Sequence, residues 1–340
     1  MTLVSLTPEG RALESHVAEV WAKLEERATA GLSAEECARF VAAARAIEAA
    51  IEPDAAIDGC RPDAPLTDHP WLKGSTAVSA ALPTHSERLA SPTPPALPEY
   101  RSALVTGGSR GIGAAIATRL AADGIRVALT YNASRTAADR VVEEITEAGG
   151  HALALHADSA DADQIRAAAD ATGREYGKID ILVNNAGIGM GGPIEEMPIE
   201  HFDRTMAVNV RGPFAAAQAV LPHMPDHGRI INIGSVFADR TPFGTLSAYV
   251  TSKAAVAGLT RALARDLGGR GITVNNIQPG PISTDLTSAD SHVRDVMTEA
   301  TALRRFGTPE EIAGLVAYLA GPEASYITGA TITADGGYAV

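Results

Sequence analysis

Arg101-Ser102-Ala103-Leu104-Val105-Thr106-Gly107-Gly108-Ser109-Arg110-Gly111-Ile112-Gly113 decides the fold of this chain. Its first six residues read as a short buried strand and its glycines as a tight loop. A helix follows, running to about Asp123 and closed by Gly124. Strand, glycine loop and helix N-terminus together make a cradle for a diphosphate, because backbone N–H groups and the positive end of the helix dipole face the anion. Gly107, Gly111 and Gly113 have G-x-x-x-G-x-G spacing rather than the commoner G-x-G-x-x-G.

Beyond this unit the pattern alternates. Strands are expected at 126–131, 152–157, 179–184, 229–234, 272–277 and 327–333, and helices near 136–148, 161–176, 199–222, 248–267 and 309–320. Such alternation means an α/β fold, a Rossmann-type doubly wound parallel sheet with helices on both faces. Ligands bind such a sheet beyond the carboxyl ends of its strands. The polar cues gather there. Asp158 ends the third strand, where an acceptor reaches an adenine amino group. Asn184-Asn185-Ala186-Gly187 ends the fourth, with small residues that let the backbone approach a ligand. Ser235 ends the fifth and Pro279-Gly280 the sixth. Asn209 stands inside a helix, an unfavourable place for Asn, which marks it as a candidate functional residue.

The end of the second strand chooses the cofactor. An NAD site wants a carboxylate there for the ribose 2′-hydroxyl. This chain has Tyr131-Asn132-Ala133-Ser134-Arg135 instead. Arg110 and Arg135 are available to neutralise a 2′-phosphate, so NADP is the expected cofactor and NAD the alternative. Either arginine also reads as an ordinary solvated side chain.

The chemistry is expected at Tyr249-Val250-Thr251-Ser252-Lys253. On a helix Tyr249 and Lys253 are one turn apart on one face. An ammonium beside a phenol favours the phenolate and lowers its pKa from about 10 toward working pH, which suits a proton donor to a carbonyl oxygen. A nearby serine hydroxyl, with Ser235 the candidate, would hold the same oxygen as charge builds on it. With 7 Tyr and 4 Lys in 340 residues, chance supplies roughly 0.08 Tyr-x-x-x-Lys pairs, so context must decide between this reading and a surface pair.

Composition narrows the rest. A formal charge of −13 argues against bulk attraction to nucleic acid or an anionic membrane. There is no run of 18 apolar residues, and Met1–Leu6 lacks the basic and apolar regions of a signal peptide. Cys37 and Cys60 are too few for a disulfide framework, so a cytoplasmic protein is expected. The nine histidines show no ligand spacing, and no metal site is expected.

Residues 1–52 read as a helical hairpin. Thr7-Pro8 starts the first helix, Gly31 stops it, and Ser33 with Glu36 forms a capping box for the second. Residues 53–98 hold nine of the chain's twenty prolines and read as an extended linker, which leaves 99–340 as the catalytic domain. The hairpin resembles the dimerisation helices of MarR-type regulators through Leu6–Arg11 and Gly31–Glu36, without their DNA-reading half; a generic helical appendage is the alternative.

From residue 101 to 340 the chain resembles the short-chain dehydrogenases/reductases. The resemblance rests on TGGSRGIG at 106–113, NNAG at 184–187, Asn209, Ser235, YVTSK at 249–253, PG at 279–280, LRRFGTPEEIA at 303–313 and ITGATITADGG at 327–337. Within the family the chain is similar to 3-oxoacyl-(acyl carrier protein) reductases. Ile231–Ser235 and Ile277–Asp285 also resemble relatives described as cyclic-di-GMP-binding biofilm-dispersal proteins.

The resemblance implies a catalytic set of Asn209, Ser235, Tyr249 and Lys253. Tyr249 would be the acid, Lys253 would lower its pKa and bind the nicotinamide ribose, Ser235 would orient the substrate oxygen, and Asn209 would hold a water linking Lys253 to solvent. It implies cofactor contacts at Gly107, Ser109, Arg110, Gly111, Ile112, Gly113, Asn132, Asp158, Asn185, Ala186, Gly187, Tyr249, Lys253, Pro279, Gly280 and Ile282. It further implies a small carbonyl or alcohol substrate and a homo-oligomer, tetramer or dimer. Residues 188–198, 236–247 and 281–302 are the expected substrate walls, with a glycine-rich rim at Gly189–Pro193.

Overall fold

The structure, a computed structural model, describes residues 100–241, 244–284 and 291–340. The expected hairpin at 1–52 and linker at 53–98 lie outside the described residues. Seven strands form one sheet in the order β3-β2-β1-β4-β5-β6-β7, every neighbouring pair parallel. They are β1 Ser102–Val105, β2 Arg126–Tyr131, β3 Ala152–His156, β4 Ile181–Asn184, β5 Arg229–Ile233, β6 Thr273–Pro279 and β7 Thr331–Ala334. The helices are α1 Gly111–Ala122, α2 Arg135–Glu147, α3 Ala162–Tyr176, α4 Ile199–Met206, α5 Gly212–Val220, α6 Ser247–Leu267, α7 Ser291–Ala300 and α8 Pro309–Ala320.

Strands β1 and β4–β5 are buried along their whole length, as expected of a sheet covered on both sides. One core is built with α1, α2 and α8 around Leu120, Ile116 and Val316; the other is built with α3, α5 and α6 around Leu182, Ile230 and Val220. The strand order reverses between β1 and β4. That reversal opens a crevice at their carboxyl ends, where the loops after the two strands diverge.

Within the sheet, Asn184 and Asn232 are register partners on β4 and β5. Asn184 Nδ2 donates to Asn232 Oδ1 at 2.9 Å, and Asn232 Nδ2 donates to Thr260 Oγ1 at 2.8 Å. This buried polar ladder fixes α6 against the sheet in one rotation, since a slide of one residue would leave amides unpaired in the interior. At the opposite end of the strands, Arg101 Nη1 donates to Ala320 O at 2.7 Å and so satisfies a carbonyl at the end of α8.

The single helix expected over 199–222 is three pieces: α4, a π-helical turn at Ala207–Arg211, and α5. The reason lies in Pro213. Proline has no N–H, so the carbonyl of Asn209, four residues back, loses its α-helical donor, and the turn widens to accommodate the break. The pattern also gave no firm helix at 281–302, where the structure has α7.

Replacing Asn232 with Ala should remove two buried partners at once and lower stability by about 2–3 kcal/mol in urea unfolding. A loss under ~0.5 kcal/mol would show that the ladder does not hold α6.

Candidate active site

The glycine cradle depends on absent side chains. Gly107 and Gly111 sit at φ 64° and 54°, a region that favours glycine. A Cβ on Gly107 would stand 2.9 Å from Ala186 Cα, and one on Gly113 would collide with Gly107 O and Asn185 Nδ2. The loop therefore closes directly onto the segment after β4. Asn185 fastens it, its Nδ2 donating to Thr106 O at 3.0 Å and Gly107 O at 2.9 Å. Thr106 Oγ1 in turn accepts from Asn185 N and Ala186 N. Arg110 occupies the cap position of α1 without a side-chain cap, leaving the first N–H groups of the helix available to an anion.

A cleft of ≈ 630 Å³ runs from this cradle past the end of β5 to α7, within the range of small-molecule and cofactor sites. Arg110, Gly111, Ile112, Gly113, Asn185, Ala186, Gly187, Ser235, Tyr249, Lys253, Pro279, Gly280 and Ile282 all line it. Gly107 supports the cradle from behind. Asn132 is exposed at the end of β2, beside Ser134, which caps α2 by accepting from Ala137 N at 3.2 Å. Ser109 lies half-buried in the loop. Neither Ser109 nor Asn132 is among the residues lining the cleft. The residues fit a dinucleotide: only glycines permit the close approach at 107 and 113, and Gly187 lies beside Lys253, where a Cβ would stand 3.4 Å from Nζ in ordinary contact.

Three of the expected segments make contacts of their own. Arg135 pairs with Asp139 on its own helix at 3.4 Å and is largely exposed, while Arg110 lines the cleft. The Asp158 carboxylate accepts from Arg204 Nη2 at 3.0 Å and 3.1 Å and from Ala160 N at 2.9 Å, which leaves acceptor capacity on a partly exposed group. Within the rim at Gly189–Pro193, Gly192 N donates to Thr245 O at 2.9 Å.

The catalytic candidates do converge. Tyr249 and Lys253 share one face of α6, with Lys253 Nζ 5.7 Å from the Tyr249 ring centroid. Nζ donates to Ile233 O at 2.9 Å. Ser235 hydrogen-bonds Tyr249, and its Oγ accepts from Phe237 N at 3.2 Å. Asn209 is 1% exposed. Its Nδ2 donates to Ile188 O at 2.8 Å and to Ser252 Oγ at 2.9 Å, and its Oδ1 accepts from Ile188 N at 2.9 Å. The side chain is thus occupied in holding the segment after β4 against α6.

The ionisation differs from the sequence expectation. Burial raises the Tyr249 pKa, opposed only by the Ser235 hydrogen bond. Burial also lowers Lys253 to about 8. Both groups are taken out of water, which penalises phenolate and ammonium alike. Sequence reasoning missed the hydrogen-bonding roles of Thr106 and Ser252, and it named the segments 236–247 and 281–302 as walls without singling out Phe237, Leu246 and Met297, which line the cleft from them. Ser252 was within sight as a third polar residue in the tyrosine motif; the wall residues come from loops and from α7, without any periodic signal.

The sequence profile described as Enoyl-(Acyl carrier protein) reductase matches residues 107–339. A "Cyclic-di-GMP-binding biofilm dispersal mediator protein" of Escherichia coli (strain K12) is 47% identical over 238 residues, 70% of this chain and 97% of the relative. A 3-oxoacyl-[acyl-carrier-protein] reductase of Staphylococcus epidermidis is 42% identical over 240 residues, 70% of this chain and 98% of the relative. The crystal structure of a short chain dehydrogenase from Burkholderia cenocepacia J2315 in complex with NADP superposes with a TM-score of 0.69 at 47% identity, covering 71% of this chain and 98% of that one. The chain belongs to the short-chain dehydrogenase/reductase family. It is an NAD(P)-dependent oxidoreductase acting on CH–OH and C=O groups.

Holding an ammonium in this interior costs about 3 kcal/mol at pH 7. Because the folded-state pKa is depressed, the unfolded chain binds the extra proton between about pH 8 and the ordinary lysine value, and stability rises with pH through that window. The cofactor-free Lys253→Met variant should therefore melt at or above the wild-type temperature at pH 7, with the difference shrinking as pH rises through 8 to 10. A variant that melts well below wild type at pH 7 would contradict this.

Proposed function

We propose that this chain transfers hydride between NADPH and a carbonyl compound or secondary alcohol through Tyr249, Lys253, Ser235 and Asn209. The observation that carries the proposal is a single cleft with the glycine cradle at one end and the Tyr249–Lys253–Ser235 group at the other. The nicotinamide supplies the hydride when bound. The protein holds the substrate oxygen and moves the proton. Burial keeps Tyr249 protonated at neutral pH, so its hydroxyl has a proton to give to that oxygen in the reductive direction. Ser235 Oγ accepts from Phe237 N, and its own hydrogen, directed at Tyr249 in the free protein, would turn to steady the same oxygen. Lys253, anchored on Ile233 O, faces the ribose position beside Gly187. A water on the Asn209 carbonyl would return protons from solvent.

NADP over NAD is supported by Arg110 in the cleft and by the NADP bound to the Burkholderia relative. A cytoplasmic homo-oligomer, dimer or tetramer, also belongs to this proposal. It is supported by an apolar groove on the outer face of α4–α6 that includes Met206, Val210, Leu259 and Phe214, the last 51% exposed. A second reading, binding of cyclic-di-GMP in the same cleft, is favoured by the name of the Escherichia coli relative. The complete proton-transfer set argues for turnover.

Calorimetry with NADPH, NADH and cyclic-di-GMP separates these readings. NADPH should bind at least ~10-fold more tightly than NADH, and Arg110→Ala should erase most of that difference. Tyr249→Phe should keep NADPH affinity and lose about 10³-fold in kcat, with Ser235→Ala losing about 10²-fold. Tight cyclic-di-GMP binding without either dinucleotide would replace the enzyme reading. In light scattering the full chain should run as a dimer or tetramer; a monomer at micromolar concentration would remove the oligomer from the proposal.

A further inference from the structure

The substrate end of the cleft has a marked chemical character. Ile188, Val236, Phe237, Leu246 and Met297 line it, all apolar. Among the described residues lining the whole cleft, Arg110 and Lys253 are the only charged ones. Arg110 caps α1 at the cradle end. Lys253 lies buried on Ile233 O beneath the tyrosine. No described cation therefore lines the substrate end to meet an anionic substituent. A carboxylate or phosphate brought there would lose its water without gaining a partner, at a cost of several-fold to many-fold in affinity.

Phe237 is the residue that gives this end its shape. Its ring stands edge-on to Tyr249, with centroids 6.4 Å apart and planes at 80°. Behind it lies Tyr338, with centroids 6.2 Å apart. Tyr338 is 1% exposed. Arg240 lies 5.3 Å from its ring centroid and donates to its carbonyl oxygen. Asp335 fixes the approach to Tyr338 by accepting from Gly337 N at 2.9 Å and Ala339 N at 2.7 Å. Phe237 is thus clamped between the catalytic tyrosine and the end of the chain, and it cannot turn aside to admit a bulky or hydrated group without moving one of them.

We infer that the enzyme acts on neutral ketones, or the corresponding secondary alcohols, that carry an apolar substituent, and that Phe237, backed by Tyr338, is the residue that selects them. This inference rests on the reductase reading above and narrows it. An oxo acid whose carboxylate lies beside the keto group would meet no described cation at the substrate end and is disfavoured.

The test uses the full chain with NADPH and matched ketones: acetophenone, its para-carboxylate, 2-octanone, and acetoacetyl-coenzyme A. Acetophenone or 2-octanone should exceed the para-carboxylate by at least ~100-fold in kcat/KM. Phe237→Ala should raise KM for the preferred neutral ketone about 10-fold with little change in kcat, and Phe237→Leu should restore most of that loss. Tyr338→Ala should reproduce the KM effect in part, with Tyr338→Phe close to wild type. A kcat/KM for the para-carboxylate equal to or above that of the neutral ketones, or reduction of acetoacetyl-coenzyme A alone, would overturn the inference and leave the reductase standing. So would a Phe237→Ala enzyme whose selectivity is unchanged. If NADPH binds and none of the four is reduced, the reductase reading fails, and the inference falls with it.

Discussion

A lysine amine removed from water is the constraint on which this site is built. Lys253 donates to the carbonyl of Ile233, and burial holds its pKa at about 8. Everything around it accommodates that placement. Gly187 lies beside Nζ. Asn209 and Ser252 hold the neighbouring segment by hydrogen bonds that leave the amine undisturbed. The ladder from Asn184 through Asn232 to Thr260 fixes the helix that carries it. A charge that destabilises the cofactor-free protein is retained where an electron-rich ribose is expected to sit, which is the usual relation between strain and function.

The helical layer beside the site is organised by a missing hydrogen bond. Pro213 takes a donor away from the Asn209 carbonyl, and the chain answers with a π turn. The same asparagine braces the backbone after β4 through its side chain.

Much of this was legible in the sequence. The strand–glycine–helix unit, the alternation that follows, and the Tyr-x-x-x-Lys pair are local patterns enforced by backbone geometry, and all appear where expected. The π turn was also written there, as a proline four residues after an asparagine, although a periodicity reading passes over it. What could not be read is what long-range packing decides. The direction of the Tyr249 pKa depends on burial by segments distant in the chain. The partner of Asp158 is Arg204, 46 residues away. The segments of the substrate wall were marked out, but the choice of residues 237, 246 and 297 within them follows no helix or strand period.

Phe237 and Tyr338 stand about a hundred residues apart in sequence and meet only in the fold. The glycine cradle needs only the loops after β1 and β4, fastened by Asn185. The wall behind Phe237 needs β6, α8 and β7 in place as well. During refolding the cradle can therefore close first and the wall last, and a partly folded chain able to hold its nucleotide would still lack a selective substrate site.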